Sequence, residues 1–261
     1  MNDTPYRALE AAPLIAVVDL AVRFGDFEAV RGVSVALDSQ AIHAVIGPNG
    51  AGKTTLFNAI SGFAKPTRGR IVFAGVDVTH CAPDRLARLG LARSFQICSI
   101  FPSLTVGDNI RVALTRDLTG LQLIRRRALS DRLDTRVEGW LREAGLENEG
   151  DRRAGDLSYG RRRLLEIVTT IAVAPKLLLL DEPTAGLARE DVAPVIALIR
   201  KVALRCGVLL VEHNLHVVES LATRVTVLAG GAVLCEGSYR EVARDARVIA
   251  AYIGAPRNTG E

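Results

Sequence analysis

Two apolar rhythms alternate along the chain. Short aliphatic or β-branched runs at Leu14 to Val22, Val33 to Leu37, Ala41 to Ile46, Ile71 to Phe73, Leu177 to Leu180 and Val208 to Val211 predict strands. Apolar residues at helical spacing predict helices over Asp84 to Gly90, Val106 to Leu114, Leu129 to Ala144 and Glu241 to Ile253. A longer helix begins after Ser158, with Leu164, Leu165, Ile167, Val168 and Ile171 on its apolar face and Pro175 as its stop. The first three runs, joined by Ile71 to Phe73, are expected to form one small sheet, and Val225 to Leu228 with Ala232 to Cys235 a hairpin turning at Gly230-Gly231. Leu177 to Leu180 and Val208 to Val211 have no polar face, as strands buried on both sides require. Strands and helices so interleaved predict an α/β fold.

Three strand ends carry the chemistry. After Ala41 to Ile46 comes Gly47-Pro48-Asn49-Gly50-Ala51-Gly52-Lys53-Thr54, which reads G-x-x-x-x-G-K-T and runs into a helical face of Leu56, Phe57, Ala59 and Ile60. Strand, glycine-rich turn and helix start, in this order, make a phosphate cradle: backbone N–H groups converge on phosphate oxygens and the helix presents its positive end. Lys53 is placed for β- and γ-phosphates and the Thr54 hydroxyl for Mg²⁺, with Thr55 beside it as a further nucleotide contact. The second end is Asp181-Glu182 after four leucines, where two adjacent carboxylates need a reason. Strand alternation would send them to opposite sides, Asp181 to hold Mg²⁺ through water and Glu182 to polarise a water attacking the γ-phosphate. The third is Glu212-His213-Asn214, where the His213 imidazole is expected to contact the γ-phosphate or steady that water.

Three further residues are candidates with open alternatives. Phe24, in the turn Arg23-Phe24-Gly25, either stacks on a nucleotide base or is a half-buried turn aromatic. Gln96, ending the strand Ala92 to Gln96, either reaches Mg²⁺ or its water or is a surface amide. Ser158 is placed as an N-cap whose helix start offers a hydroxyl and N–H groups to an anion, as any capped helix does.

Composition narrows the classes. The 261 residues, 49% hydrophobic and only 5% aromatic, fit one main domain with an aliphatic interior. A net charge of +4 spread along the chain is too dilute for a nucleic-acid surface, so no nucleic-acid partner is expected. Cys81, Cys98, Cys206 and Cys235 lack C-x-x-C spacing and predict reduced thiols rather than a metal site. Met1 to Pro13 has no apolar signal-peptide core, and no apolar run approaches the ~20 residues needed to span a bilayer. Any membrane role is therefore expected to come through a partner.

Taken together, these residues resemble the nucleotide-binding subunit of ATP-binding cassette (ABC) transporters over about Leu14 to Gly254. Gly47 to Thr54 matches Walker A, Gln96 the Q-loop, Leu157 to Gly160 the signature, Leu177 to Glu182 Walker B, Ala185-Gly186-Leu187 the start of the D-loop, and His213 the switch histidine. The resemblance implies an α/β P-loop domain over residues 14–254, with an antiparallel β-subdomain, a mostly parallel core sheet and a helical subdomain at about 97–174. Residues 1–13 and 255–261 are then tails, the last of them expected to be disordered. It implies ATP and Mg²⁺ as ligands. It also implies a second ABC ATPase packed head to tail, so that Ser158 and Gly160 touch the partner's γ-phosphate, and Gln96 with Ile97 to Val106 couples closure to two polytopic permease subunits. A solute-binding protein is implied indirectly, and the place is the cytoplasmic face of the inner membrane.

Within the family, Ala92 to Gln96, Phe101 to Val106, Tyr159 in the signature, Val211 to Asn214, the insert between Asn109 and Trp140, and the ending Ala250 to Gly254 resemble importers of branched-chain or hydrophobic amino acids. Importers of urea and short amides share much of this pattern. A soluble non-transport ABC ATPase is the remaining alternative, although this chain has neither a second cassette nor a heptad run. Two positions depart from the family: Ala188 stands where the D-loop carries Asp or Asn, and Arg161 replaces the glutamine after the signature glycine.

Overall fold

The computed structural model describes residues 12–94, 100–115 and 126–253, with backbone only at 126–130 and 253. Two sheets share the interior. In the first, β1 (Ile15–Phe24), β2 (Phe27–Leu37), β4 (Arg68–Phe73) and β5 (Val76–Asp77) run antiparallel in the order β2-β1-β4-β5. In the second, β3 (Ile42–Ile46), β6 (Leu91–Ser94), β7 (Leu177–Asp181), β8 (Gly207–Val211), β9 (Arg224–Ala229) and β10 (Ala232–Gly237) run in the order β10-β9-β3-β8-β7-β6. All neighbours in that sheet are parallel except the β9–β10 hairpin.

An antiparallel sheet beside a mostly parallel one is what the resemblance implied, but the small sheet expected of Leu14 to Val22, Val33 to Leu37, Ala41 to Ile46 and Ile71 to Phe73 is corrected, because β3 leaves β1 and β2 to pair with β8 and β9. The physical difference is burial. In β2, buried Val33, Val35 and Leu37 alternate with exposed Ser34 and Ala36, whereas all five residues of β3 are buried. His43 stays inside β3 because both ring nitrogens are satisfied, Nδ1 at 3.1 Å from the Ala36 carbonyl and Nε2 at 2.7 Å from Thr226 Oγ1.

Helices cover both faces. The helix α1 (Lys53–Ile60) packs Leu56, Phe57 and Ile60 into the layer between the two sheets, beside Val45, Leu179 and Leu209. Short α2 (Pro83–Leu89) follows β5 and closes on a left-handed Gly90. Between β6 and β7 the described elements are helical: α3 (Val106–Thr115), α4 (Arg126–Ala144), two short 3₁₀ turns and α5 (Tyr159–Ile171). Buried Ile110, Leu133, Val137, Leu141, Leu164 and Val168 belong to one apolar cluster that α6 (Arg189–Ala203) also lines.

Two helix ends differ from expectation. The α5 helix stops at Ile171, before Pro175, with Ala174 at φ 50°. The C-terminal helix divides into α8 (Tyr239–Val242), after α7 (Leu215–Leu221), and α9 (Ala246–Ile253). Ser238 and Glu241 form a capping box for the first piece, and Asp245 restarts the second by accepting the Arg247 N–H at 2.8 Å.

Candidate functional site

The order β3-β8-β7 puts three loops side by side at the carboxyl ends of adjacent parallel strands: Gly47 to Gly52, Glu212 to Asn214, and Glu182 to Thr184. In parallel sheets such edges are where ligands bind.

The glycine-rich loop is wedged from below. The Gly231 N–H donates to the Ala51 carbonyl at 3.2 Å while the Gly231 carbonyl accepts from Arg31 N at 2.7 Å. Gly47 at φ 151° and Gly52 at φ 96° admit no side chain, since a Cβ would lie 2.2 Å from the Leu228 carbonyl oxygen and 2.5 Å from that of Ala29. Gly52 is the N-cap of α1, without a side-chain cap and with no acidic residue in the first turn, so the helix start is left to an external anion. Asn49, Gly50 and Thr54 are exposed, Pro48, Gly52 and Thr55 half-buried, and Gly47, Ala51 and Lys53 buried. Lys53 Nζ donates to the carbonyls of Gly47 at 2.8 Å and Pro48 at 3.0 Å. Burial lowers its pKa, and the nearby Glu182 and Asp181 carboxylates oppose that shift. From the chain's far end, the Tyr252 hydroxyl meets the Gly47 backbone, and burial raises its pKa.

Beyond β7 the backbone turns abruptly. Asp181 ends the strand, while Glu182 is left-handed at φ 48° with its N–H donating to the Val211 carbonyl at 2.9 Å. The two carboxylates are thus separated by a conformational break after the strand rather than by strand alternation, which corrects the expected cause. Glu182 Oε1 lies 2.8 Å from His213 Nε2, joining two residues 31 positions apart on neighbouring strand ends. Asp181 Oδ2 meets Arg93 Nη2 at 3.1 Å, and burial pushes its carboxyl pKa up while Arg93 pulls it down. Its buried Oδ1 has no hydrogen-bond partner among the described residues. An orphaned carboxylate oxygen and an exposed Thr54 hydroxyl, both hard oxygen donors, fit Mg²⁺. Gln96, the third expected metal contact, lies outside the described residues.

The signature borders the loop after β7, with the Tyr159 hydroxyl donating to the Ala185 carbonyl at 3.3 Å. Ser158 Oγ accepts from Arg161 N at 3.4 Å as the N-cap of α5. Among the described residues, no hydrogen bond or ion pair joins Ser158 or Gly160 to Gly47 to Thr54. A Cβ at Gly160 would fall 2.1 Å from the Asp191 carboxylate carbon, so this side chain packs directly over the glycine. Phe24, 56% exposed, pairs across the β1–β2 hairpin with Phe27, 62% exposed, close to the Ala29 carbonyl that touches the phosphate loop.

Three buried side chains that the sequence reading did not select hold this arrangement. Arg93 donates to Asn58 Oδ1 at 2.8 Å and Ser61 Oγ at 2.7 Å as well as to Asp181, so it links α1, β6 and β7. Arg163, on α5, donates to the backbone carbonyls of Asp181, Glu182 and Pro183 at 3.1 to 3.3 Å. Glu212 binds Thr184, His213 and Asn214. Glu212 carried the same signal as Asp181, a carboxylate closing an all-apolar strand; nothing in local sequence distinguishes Arg93 or Arg163 from solvated arginines.

Comparison with known proteins agrees with this geometry. Residues 30–185 match the ABC transporter family, and residues 232–257 match the branched-chain amino acid ATP-binding cassette transporter family. The chain is 38% identical over 251 residues to the high-affinity branched-chain amino acid transport ATP-binding protein LivG of Escherichia coli (strain K12), covering 93% of this chain and 98% of that one. It is 36% identical, with the same coverage, to the corresponding BraF of Pseudomonas aeruginosa. Among solved structures, a nucleotide-free ATP-binding cassette from an ABC transporter superposes with a TM-score of 0.80 at 29% identity, covering 93% of this chain and 99% of that chain. An ADP-conformation cassette superposes with a TM-score of 0.80 at 28% identity, covering 94% and 100%.

Proposed function

The chain belongs to the ABC transporter family of ATP-binding cassettes, and from that premise we propose that it is the ATP-hydrolysing motor subunit of an importer for branched-chain or hydrophobic amino acids. The solute class rests on the match of residues 232–257 to the branched-chain amino acid cassettes. The chemistry rests on one observation, the 2.8 Å contact between Glu182 Oε1 and His213 Nε2 beside Lys53.

In this reading Gly47, Pro48, Asn49, Gly50, Ala51, Gly52, Lys53, Thr54 and Thr55 enclose the phosphates of ATP, and Phe24 stacks on its base. Thr54, Asp181 and Gln96 hold Mg²⁺, which when bound neutralises charge on the β- and γ-phosphate oxygens. Glu182 takes the proton of the attacking water, His213 donates its ring N–H to orient that carboxylate, and Lys53 stabilises charge spreading over the γ-phosphoryl oxygens. Ser158 and Gly160 act on ATP held by a second cassette, in keeping with the absence, among the described residues, of any hydrogen bond from them to the phosphate loop of their own chain. Among the described residues no helix is long and apolar enough to cross a membrane. Membrane attachment is therefore assigned to two permease subunits seated on the groove rimmed by Phe63, Phe101 and Val112, with the chain peripheral on the cytoplasmic face and a solute-binding protein beyond the permeases.

The residue roles predict a split between binding and turnover. Glu182→Gln keeps ATP affinity within about twofold while turnover falls by about 10² or more, the span of general-base catalysis. Lys53→Ala loses ATP affinity itself. Fluorescent-nucleotide titration alongside phosphate release checks both; wild-type turnover in Glu182→Gln, or unchanged affinity in Lys53→Ala, removes the assigned role.

A further inference from the structure

Glu212 is a buried carboxylate, 2% exposed, at the end of β8. Its two oxygens face different segments. Oε1 accepts the Thr184 N–H at 3.0 Å and the Thr184 hydroxyl, while Oε2 accepts the N–H groups of His213 at 2.8 Å and Asn214 at 3.1 Å. All four of these bonds are donated to it, three of them by backbone N–H groups with one or more on each oxygen, a set that a carboxylate satisfies and an amide does not, since an NH₂ group on either side would meet another N–H.

Capping the turn before α7 does not explain this arrangement. Asn214 already caps α7 by accepting the His216 N–H at 3.1 Å, and the Oε1 bonds cross to the neighbouring strand's loop. What those bonds do fix is the relation between the loop after β7 and the loop after β8. The functional side chains above are themselves partly in solvent, with Glu182 24% and His213 40% exposed, so packing does not aim them. Their aim comes from the backbone segments beneath, which the Glu182 N–H to Val211 carbonyl bond and the Glu212 bridge hold together.

We infer that Glu212 is a positioning residue for ATP hydrolysis: its carboxylate locks Glu182-Pro183-Thr184 to His213-Asn214, so that the imidazole meets the catalytic carboxylate. The inference rests on the assignment of hydrolysis to Glu182 and His213. Misplacement of a reacting group by about 1 Å costs on the order of 10²-fold in rate. The loss should therefore appear in kcat and leave ATP capture alone, because among the described residues no hydrogen bond or ion pair joins Glu212 to the phosphate loop.

The test compares the full-length wild type with Glu212→Gln, Thr184→Val and the double variant in kcat, KM for ATP and thermal melting. Glu212→Gln should lower kcat at least about tenfold with KM within about twofold. Thr184→Val, which deletes one of the four donors, should lower kcat about threefold, and the double variant should be no slower than Glu212→Gln. Unchanged kcat in Glu212→Gln, equal losses in kcat and ATP affinity, or additive losses in the double variant would overturn the inference. If Glu212→Gln does not melt cooperatively, Thr184→Val decides: a lower kcat at constant KM supports the bridge and an unchanged kcat refutes it. A wild-type chain without ATP turnover overturns the functional reading itself, an outcome distinct from an active wild type whose variants are equally active.

Discussion

Glu182 occupies a backbone conformation that side chains other than glycine avoid, and it does so at the position assigned to the catalytic base. The strain is of the order of 1 kcal/mol, so Glu182→Gly should be more stable than Glu182→Ala by about that amount in denaturant titrations, with neither variant hydrolysing ATP. Equal stabilities would show that the left-handed turn costs nothing. A second residue-scale consequence concerns His43. Its Nδ1–H donates to the Ala36 carbonyl, which can only accept, so Nε2 accepts from the Thr226 hydroxyl. Burial lowers the His43 pKa below 6.5, with Glu236 raising it and Arg224 lowering it in turn. The unfolded chain then binds the proton more readily than the folded one. The stability contributed by neutral His43 is full above about pH 6.5 and is lost as pH falls through the lower folded value. The advantage of wild type over His43→Asn, of the order of 1 kcal/mol for buried hydrogen bonds, should therefore shrink between pH 7.5 and 5.5 in parallel melts. A gap that stays constant or widens would contradict the neutral assignment.

At the scale of elements, the motif loops were legible because each follows an apolar run and carries residues that such a run cannot otherwise tolerate: glycines with lysine after β3, two carboxylates after β7, Glu-His after β8. Sheet membership was not legible. Pairing partners lie far apart in sequence, and β3 joins Val208 to Val211 of β8, more than 160 positions away. The arginine clamps were missed for the same reason, since Arg93 and Arg163 acquire their meaning from backbone and side chains that only the fold brings near. The helix α6 carries a local defect that the sequence does announce. Ala188, at φ −64° and ψ 153°, has the N-cap backbone conformation but no side chain to accept from the first turn. Ala188→Asn should stabilise the protein by about 1 kcal/mol, read as a higher denaturation midpoint with an unchanged slope. A lowered midpoint would mean that this turn selects against a polar side chain.

At the scale of the molecule, the two sheets divide the labour. The antiparallel sheet supports the phosphate loop from one side, through the Ala29 carbonyl packed against Gly52 and through the Arg31 N–H, which holds the Gly231 turn whose N–H donates to Ala51, while the parallel sheet brings the loops after β7 and β8 from the other. The signature end of α5 meets the loop after β7, where the Tyr159 hydroxyl donates to the Ala185 carbonyl at 3.3 Å, and Arg163 ties the same helix to the Asp181 to Pro183 backbone. A cassette built this way links its signature helix to the loop after β7 through a buried arginine. Its work as an importer motor then depends on a second cassette and on permeases in the membrane. The most direct measurement is therefore affinity capture of the tagged full chain from native membranes in mild detergent, with mass spectrometry of what accompanies it and solute screening of the associated binding protein. The account predicts two polytopic membrane proteins, an ABC ATPase partner and a binding protein that takes leucine, isoleucine or valine; recovery with ribosomes or nucleic acid and no membrane protein would contradict it.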